Sequence, residues 1–193
     1  MSETLVVDLC GTLVRENTTH GFLKYLPATS VRDYYRLMLL SRGGQAIGHF
    51  FPRFEHRRRL IGCLAGFQRE WLQQQARTYA SVTLATKARA RVVQQVLAAP
   101  KQTIVASASI DVVVAAFASL LGVSTWVATE LDYGDAGRCT GRIENDATGC
   151  KLRRLEVKTG CALSGFLLIT DNPEDTDLMS LAQHVDFIGP HHD

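Results

Sequence analysis

Three short clusters of polar residues follow apolar, strand-like runs in this chain. Asp8-Leu9-Cys10-Gly11-Thr12 follows residues 5–7, Ser107-Ala108-Ser109 follows 103–106, and Asp171-Asn172-Pro173-Glu174-Asp175 follows 166–170. A fourth candidate, Lys151, opens a helical pattern just ahead of the last cluster. In an open parallel sheet, residues at the carboxyl ends of strands meet in one crevice. Two acids from separate strands could there hold a hard cation such as Mg²⁺, which takes oxygen ligands and keeps waters. Asp8 could also attack a phosphoryl group as a carboxylate nucleophile. Lys151 and the Ser107 hydroxyl would then neutralise and orient the phosphoryl oxygens. Any one of these clusters could be a helix cap. Their order and spacing together argue for a site.

The elements that must position these residues alternate. Residues 5–8 read as a short buried strand. From 18 to 98 the chain is rich in Leu, Ala, Gln and Arg, and helices are expected over 18–26, 30–41, 45–65 (broken), 67–80 and 85–98, with Gly43-Gly44 and Pro52 as breaks. After Pro100 the pattern changes to a strand at 103–106, a helix over 110–121 and a strand at 125–129. A β-hairpin over 129–143, with Gly134 and Gly137 in its turn, comes next. A helix at 151–160, a strand at 166–170, a helix at 175–183 and a strand at 185–188 complete the chain. Such alternation implies an α/β fold with a parallel sheet and crossover helices. The helical block is an insert after the first strand. No internal repeat is visible.

Composition narrows the class. With 193 residues, 46% of them hydrophobic, and 21 Lys and Arg against 19 Asp and Glu, the chain is neither disordered nor low in complexity. Residues 112–128 form the longest apolar stretch, which is too short to span a bilayer and is split by Gly122 into helix and strand. The first ten residues do not have the pattern of a secretion signal. Five cysteines without a CxxC pair suit a reducing, cytoplasmic setting.

Charge is segregated. Thirteen Lys and Arg and only three acids lie between residues 20 and 100, a net of +10, and the rest of the chain carries −8. The insert is therefore expected to favour an anionic small-molecule substrate, with Arg57-Arg58-Arg59, Arg53 and His56 as candidates to grip it. A solvated face pairing with the acidic core is the plainer reading of any single arginine. Peripheral contact with an anionic membrane is a further use of such a patch. Nucleic-acid binding is the alternative from charge alone, but no base-reading motif accompanies it and none is expected. Phe22, Leu23, Tyr25, Leu26, Tyr34, Tyr35, Leu37, Leu39, Phe50 and Phe51 read as core of the insert, and Trp71 and Trp126 as packing residues. His191-His192 reads as a short tail. Nothing in the sequence specifies an oligomeric state.

The motifs resemble those of the haloacid dehalogenase superfamily, and most of all its phosphoserine-phosphatase-like branch. Asp8-Leu9-Cys10-Gly11-Thr12-Leu13 resembles the family's DxDGT motif, and Ser107-Ala108-Ser109 its second motif. Residues 129–143 with Lys151-Leu152-Arg153-Arg154-Leu155 resemble the hairpin and third-motif lysine of that branch. Asp171 and Asp175 are spaced as the acids of GDSxxD. The resemblance implies a Rossmann-like three-layer core over 1–15 and 100–193, with an inserted all-helical cap over 16–99. It implies Mg²⁺-dependent phosphomonoester hydrolysis through an aspartyl-phosphate on Asp8, with Ser107 and Lys151 binding phosphate. Thr12, Ser109 and, from the cap, Arg57 complete the substrate-binding set. The metal set would be Asp8, Asp171 and the Cys10 backbone carbonyl, with Asp175 in support.

One position departs from the pattern. The family's second DxD acid, which protonates the leaving oxygen and then deprotonates the attacking water, is Cys10 here. A thiol with a pKa of about 8.5 is a poor substitute, and losing general acid–base help slows turnover by roughly 10²–10⁴-fold. Four readings follow. The chain is a slow phosphatase for a substrate with a good leaving group; or it draws its acid from His20 or Glu16; or it passes the phosphoryl group to another acceptor; or it binds a phosphorylated ligand without turnover. Thr170 and Asn172 also replace the Gly and Ser that flank the fourth-motif Asp.

Overall fold

A computed structural model describes residues 4–48 and 53–189. Six strands form one sheet in the order β4-β3-β2-β1-β5-β6. The strands are β1 (Leu5–Val7), β2 (Thr103–Ile110), β3 (Thr125–Tyr133), β4 (Cys139–Asn145), β5 (Phe166–Thr170) and β6 (Ala182–Phe187). All neighbours are parallel except β3 and β4, which are antiparallel. The expected α/β fold is therefore present, with a three-layer, mostly parallel sheet.

Alternation along β1 shows how the sheet is buried on both faces. Leu5 and Val7 point to one side and join a core with Phe117 and Val113 of α7 (Asp111–Leu120). Val6 points to the other and packs with Leu155 of α8 (Lys151–Thr159) and Leu178 of α9 (Thr176–Met179). The apolar stretch that begins at Val112 divides as expected into α7 and β3, turning at Gly122, whose φ of +71° suits glycine.

Between β1 and β2, among the described residues, lie α1 (Thr18–Tyr25), α2 (Val31–Leu40), α3 (Arg42–Gly48), α4 (Arg53–Gly62), α5 (Arg69–Lys87) and α6 (Ala90–Ala98). The two ends of this insert are pinned together by backbone bonds. Arg15 N donates to the Lys87 carbonyl and Arg89 N to the Leu13 carbonyl. Further along, α5 packs along α7 of the core. Charges also meet across the junction. Arg57 pairs with Asp146 and Arg91 with Asp186, and the Arg69 guanidinium lies 4.6 Å from the Tyr133 ring centre. Lys87 pairs with Glu16 where the two ends of the insert meet. Part of the segregated charge thus holds the insert against the acidic core.

Several boundaries differ from the expected ones. Gly43-Gly44 lies inside α3 instead of breaking a helix; the break is at Ser41, whose Oγ donates to the Met38 carbonyl and accepts from Gly44 N. Helices expected over 67–80 and 85–98 run instead to Lys87 and from Ala90. Ala88 is extended and bridged to Val14, a tertiary contact with no local glycine or proline signal. The last helix covers only Thr176–Met179, and the last strand starts at Ala182, because pairing with β5 claims those residues. Tyr25, Tyr34 and Tyr35 are exposed, contrary to the core reading, whereas Phe22, Leu23, Leu26 and Leu39 are buried. Pro52, Phe50, Phe51 and His191-His192 lie outside the described residues. So does the Arg53 side chain.

The buried face of α2 is unusual in carrying charge. Ser30 and Asp33 form a capping box, and the fully buried Arg36 donates to Asp33 Oδ1 at 2.9 Å and to the Leu26 and Pro27 carbonyls. Burial would raise the Asp33 carboxyl, but bonds from Ser30 and Thr29 and the Arg36 cation hold it below its ordinary value. Its contribution to stability is therefore present above the unfolded pKa of about 3.9 and fades as pH falls through the lower folded value. We predict that Asp33→Asn destabilises the protein by about 3–5 kcal/mol near neutral pH, because Arg36 loses its buried partner. Denaturant midpoints measured from pH 7 downward should show the gap between wild type and variant closing below about pH 4.

Candidate active site

The carboxyl ends of β2, β1 and β5, three adjacent strands, deliver the polar clusters to one edge of the sheet. They open into a cavity of about 650 Å³ lined by Asp8, Cys10, Ser107, Ser109, Lys151 and Asp171 from the core. Asn17, Thr19, His20, His56, Arg57 and Leu60 line it from the insert.

Asp8 is 4% exposed, with its backbone N–H donating to the Ile169 carbonyl at 3.0 Å. Lys151 Nζ lies 3.2 Å from Asp8 Oδ1 and 2.8 Å from Asp175 Oδ2. Burial pushes the Asp8 carboxyl up to about 6; Lys151 opposes this and Asp175 adds to it. Burial would lower the Lys151 ammonium, but the charges of Asp8 and Asp175 outweigh it and hold the group above its ordinary value. Near neutral pH the pair therefore consists mainly of an Asp8 carboxylate and a Lys151 ammonium.

Asp175 stands behind Lys151. Its Oδ2 accepts from Lys151 and from Thr170 Oγ1 at 2.8 Å, and its Oδ1 accepts from Asn172 Nδ2 at 3.1 Å. Thr170 and Asn172, the two departures in the fourth motif, thus have a function in this chain: both hold Asp175.

Asp171 is set by the first strand's loop. Thr12 Oγ1 donates to Asp171 Oδ1 at 2.9 Å and accepts from Asp171 N at 2.8 Å. Gly11 has φ +74°, and a Cβ there would come within 1.9 Å of Asp171 Oδ2, so only glycine lets the carboxylate rest against this turn. Thr12 itself does not line the cavity; it positions Asp171.

Cys10 Sγ contacts Thr18 Oγ1 at 3.0 Å and accepts from Thr18 N at 3.4 Å, at the first turn of α1. Thr18 Oγ1 donates onward to Ser109 Oγ at 2.8 Å, which leaves the thiol as donor to Thr18. Thr19 Oγ1 also meets Ser109 Oγ at 3.0 Å. Burial and then the Asp8 charge push the Cys10 thiol above its ordinary value, against bonds from Thr18 and Ser107. The thiol is protonated at neutral pH.

Arg57 joins insert to core. Its guanidinium donates to Asp146 Oδ1 and Oδ2, to Thr148 Oγ1, to Thr129 Oγ1 and to the Ala108 carbonyl, all at 2.6–2.8 Å. Sequence reasoning singled out Arg57 but not its partners, which come from the hairpin strands and the loop before α8. Glu16, one candidate source of the missing acid, accepts from Tyr79 and Lys87 and is not among the cavity-lining residues. His20, the other, lines the cavity. Asn17 and Thr148 were missed, because a polar loop residue carries no signal of its own until the fold surrounds it.

The donor set suits a hard cation. Asp8 and Asp171 both line the cavity and offer carboxylate oxygens to it, and Mg²⁺ is held by one or two carboxylates with waters. Among the described residues no group of three or more His, Cys, Asp or Glu side chains converges on a closed metal centre.

The chain belongs to the haloacid dehalogenase-like hydrolases, whose family model matches residues 5–180. Solved structures share its fold. A protein of unknown function from Bordetella pertussis Tohama I is 19% identical, with 96% of this chain and 98% of that one covered and a TM-score of 0.67. A phospho-aspartyl intermediate analogue of phosphoserine phosphatase is 15% identical, with 95% and 85% covered and a TM-score of 0.58. Cytosolic 5′-nucleotidase IIIB bound to cytidine is 17% identical, with 96% and 72% covered and a TM-score of 0.63. No curated protein matches the chain. Among the described residues no helix is long and apolar enough to cross a membrane.

Arg57→Ala should cost about 1–3 kcal/mol, since it strands several polar partners. Hydrogen exchange by mass spectrometry should show faster exchange in α4 and around Thr148 than in the sheet.

Proposed function

We propose that this protein is a Mg²⁺-dependent phosphomonoester hydrolase acting through an aspartyl-phosphate on Asp8. One observation carries the reading: a buried Asp8 paired with Lys151 at the floor of a cavity that also holds Ser107, Asp171 and a rim from the helical insert. An Asp8 oxygen attacks phosphorus, the ester P–O bond breaks, and the alcohol leaves; water then attacks phosphorus and the P–O bond to Asp8 breaks, freeing phosphate. Lys151 and the Ser107 hydroxyl orient and neutralise the phosphoryl oxygens through the first step. Asp8, Asp171 and the Cys10 carbonyl would hold Mg²⁺, with Asp175 acting from behind Lys151. When bound, the cation neutralises charge on the transferring group.

Residues 16–99 act as a cap in this reading. They close the cavity and choose an anionic small-molecule substrate through Arg57 and its neighbours. Ser109, bonded to Thr18 and Thr19, serves the closed arrangement more directly than it serves substrate. The phosphoserine phosphatase and nucleotidase relatives in fold favour phosphomonoesters over other esters. Cysteines left free at Cys63, Cys139, Cys150 and Cys161 suit a cytoplasmic location.

A second reading has the phosphoryl group passed to another acceptor or a phosphorylated ligand held without turnover. It is favoured by the protonated, hydrogen-bonded Cys10 thiol, which stands where the family has a carboxylate.

Phosphate release should be measured with Mg²⁺ across sugar, nucleotide, amino-acid and lipid phosphomonoesters. Asp8→Asn should abolish it while leaving the unfolding transition in place; equal activity in both proteins would remove Asp8 as nucleophile. Cys10→Asp should raise kcat for simple alkyl phosphates by roughly 10-fold or more, within the range general acid–base catalysis supplies. An unchanged kcat would mean that proton transfer does not limit the reaction.

A further inference from the structure

Hydrolysis of an aspartyl-phosphate needs a group to accept a proton from the attacking water, and Cys10 leaves that role without its usual carboxylate. The cavity contains few candidates. Asp8 is itself the nucleophile, Asp171 is bound to Thr12, and Lys151 is held between two carboxylates. Arg57 offers only donors, which Asp146, Thr148, Thr129 and the Ala108 carbonyl occupy. The Cys10 proton is engaged with Thr18, whose own proton goes to Ser109. Two imidazoles remain among the described lining residues, His20 of α1 and His56 of α4, with ring centroids 6.5 Å apart and rings edge-on.

His20 is carried by α1, the helix whose first residue, Thr18, contacts Cys10 Sγ. It lies two residues beyond Thr18 in α1, so its ring leaves the helix away from the Thr18–Cys10 contact and lines the cavity that Asp8 and Cys10 also line. Asn17 caps that helix by accepting from His20 N at 3.0 Å, so the backbone carrying the imidazole is fixed beside the nucleophile loop. We propose that His20 is the general base of the second half-reaction, taking a proton from the water that attacks phospho-Asp8. In that step the water oxygen bonds to phosphorus, the P–O bond to Asp8 breaks, and the water proton moves to an imidazole nitrogen and then to solvent. The proposal rests on the hydrolase reading above. Burial, and then the charges of His56, Lys24 and Arg57, hold the His20 ring below its ordinary value, so it is neutral and able to accept a proton near pH 7.

The test uses 4-nitrophenyl phosphate and Mg²⁺ with the full chain, because a leaving group this good needs no proton in the first step. His20→Gln and His20→Asn should each release a burst of about one 4-nitrophenol per chain and then turn over roughly 10²–10⁴-fold more slowly than wild type. Intact-mass measurement should find phospho-Asp8 accumulated in both. Cys10→Asp added to His20→Gln should restore steady turnover, since a carboxylate then supplies the base. Wild-type turnover in the His20 variants, loss of the burst together with turnover, or failure of Cys10→Asp to restore the rate would each overturn the assignment. Accumulation in His56→Gln but not in His20→Gln would move the role to His56 and equally overturn it. A wild type that forms no phospho-Asp8 and releases no phosphate would instead bring down the hydrolase reading, and the proposal with it.

Discussion

Lys151 carries a full charge at a position where only 2% of its surface reaches solvent, and this the rest of the site must accommodate. An unpaired ammonium there would cost several kcal/mol, so Asp8 and Asp175 must both approach it. Asp8 comes from the end of β1 and Asp175 from the loop after β5, and Lys151 is the first residue of α8. Their meeting requires β1 and β5 to be neighbours and α8 to start at their carboxyl ends, as the sheet order provides. The second carboxylate is then satisfied by Thr170 and Asn172. Substitutions that look like erosion of a motif turn out to be hydrogen-bond donors to its buried acid.

Segregated charge follows a similar logic. An insert (residues 16–99) of net +9 on a core of −7 would repel itself if either were isolated, and docking relieves both. Arg57 and Arg91 bind acids of the core, and Lys87 and Arg36 are paired inside the insert with Glu16 and Asp33. Exposed ion pairs contribute little to stability singly. Arg57 differs because it is half-buried and bonds four groups from the hairpin, the second strand and the loop before α8. It also borders the cavity, so closing the insert and shaping the site are coupled through one side chain.

Cys10 links core and insert. Its thiol, Thr18, Ser109 and Thr19 form a hydroxyl chain from the loop after β1 into the insert's first helix. A carboxylate at this position would be drawn to the same Thr18 groups, so the surroundings retain the shape of an acid site with a neutral occupant. Chemistry lost at one residue can then be supplied by another that shares the cavity, provided that its proton is not already committed.

Sequence by itself determined the class of fold and which residues gather at the sheet's carboxyl edge. Strand-like runs ending in Asp8, Ser107 and Asp171, with Lys151 opening a helix, are local patterns: apolar periodicity and short motifs survive without tertiary context. The hairpin, the split at Gly122 and the helical insert were legible for the same reason. Tertiary structure decided the rest. The break at Ala88 comes from pairing with Val14, the shortened last helix from the claim of β5 on its residues, and the exposure of Tyr34 and Tyr35 from the use of Asp33 and Arg36 on the buried face. Asp146 as partner to Arg57, Thr18 as partner to Cys10, and the shared cavity of His20 with Asp8 are contacts between residues distant in sequence or held by a fold-dependent turn. No spacing encodes them, because hydrogen bonds and burial depend on which surfaces the packed chain brings together.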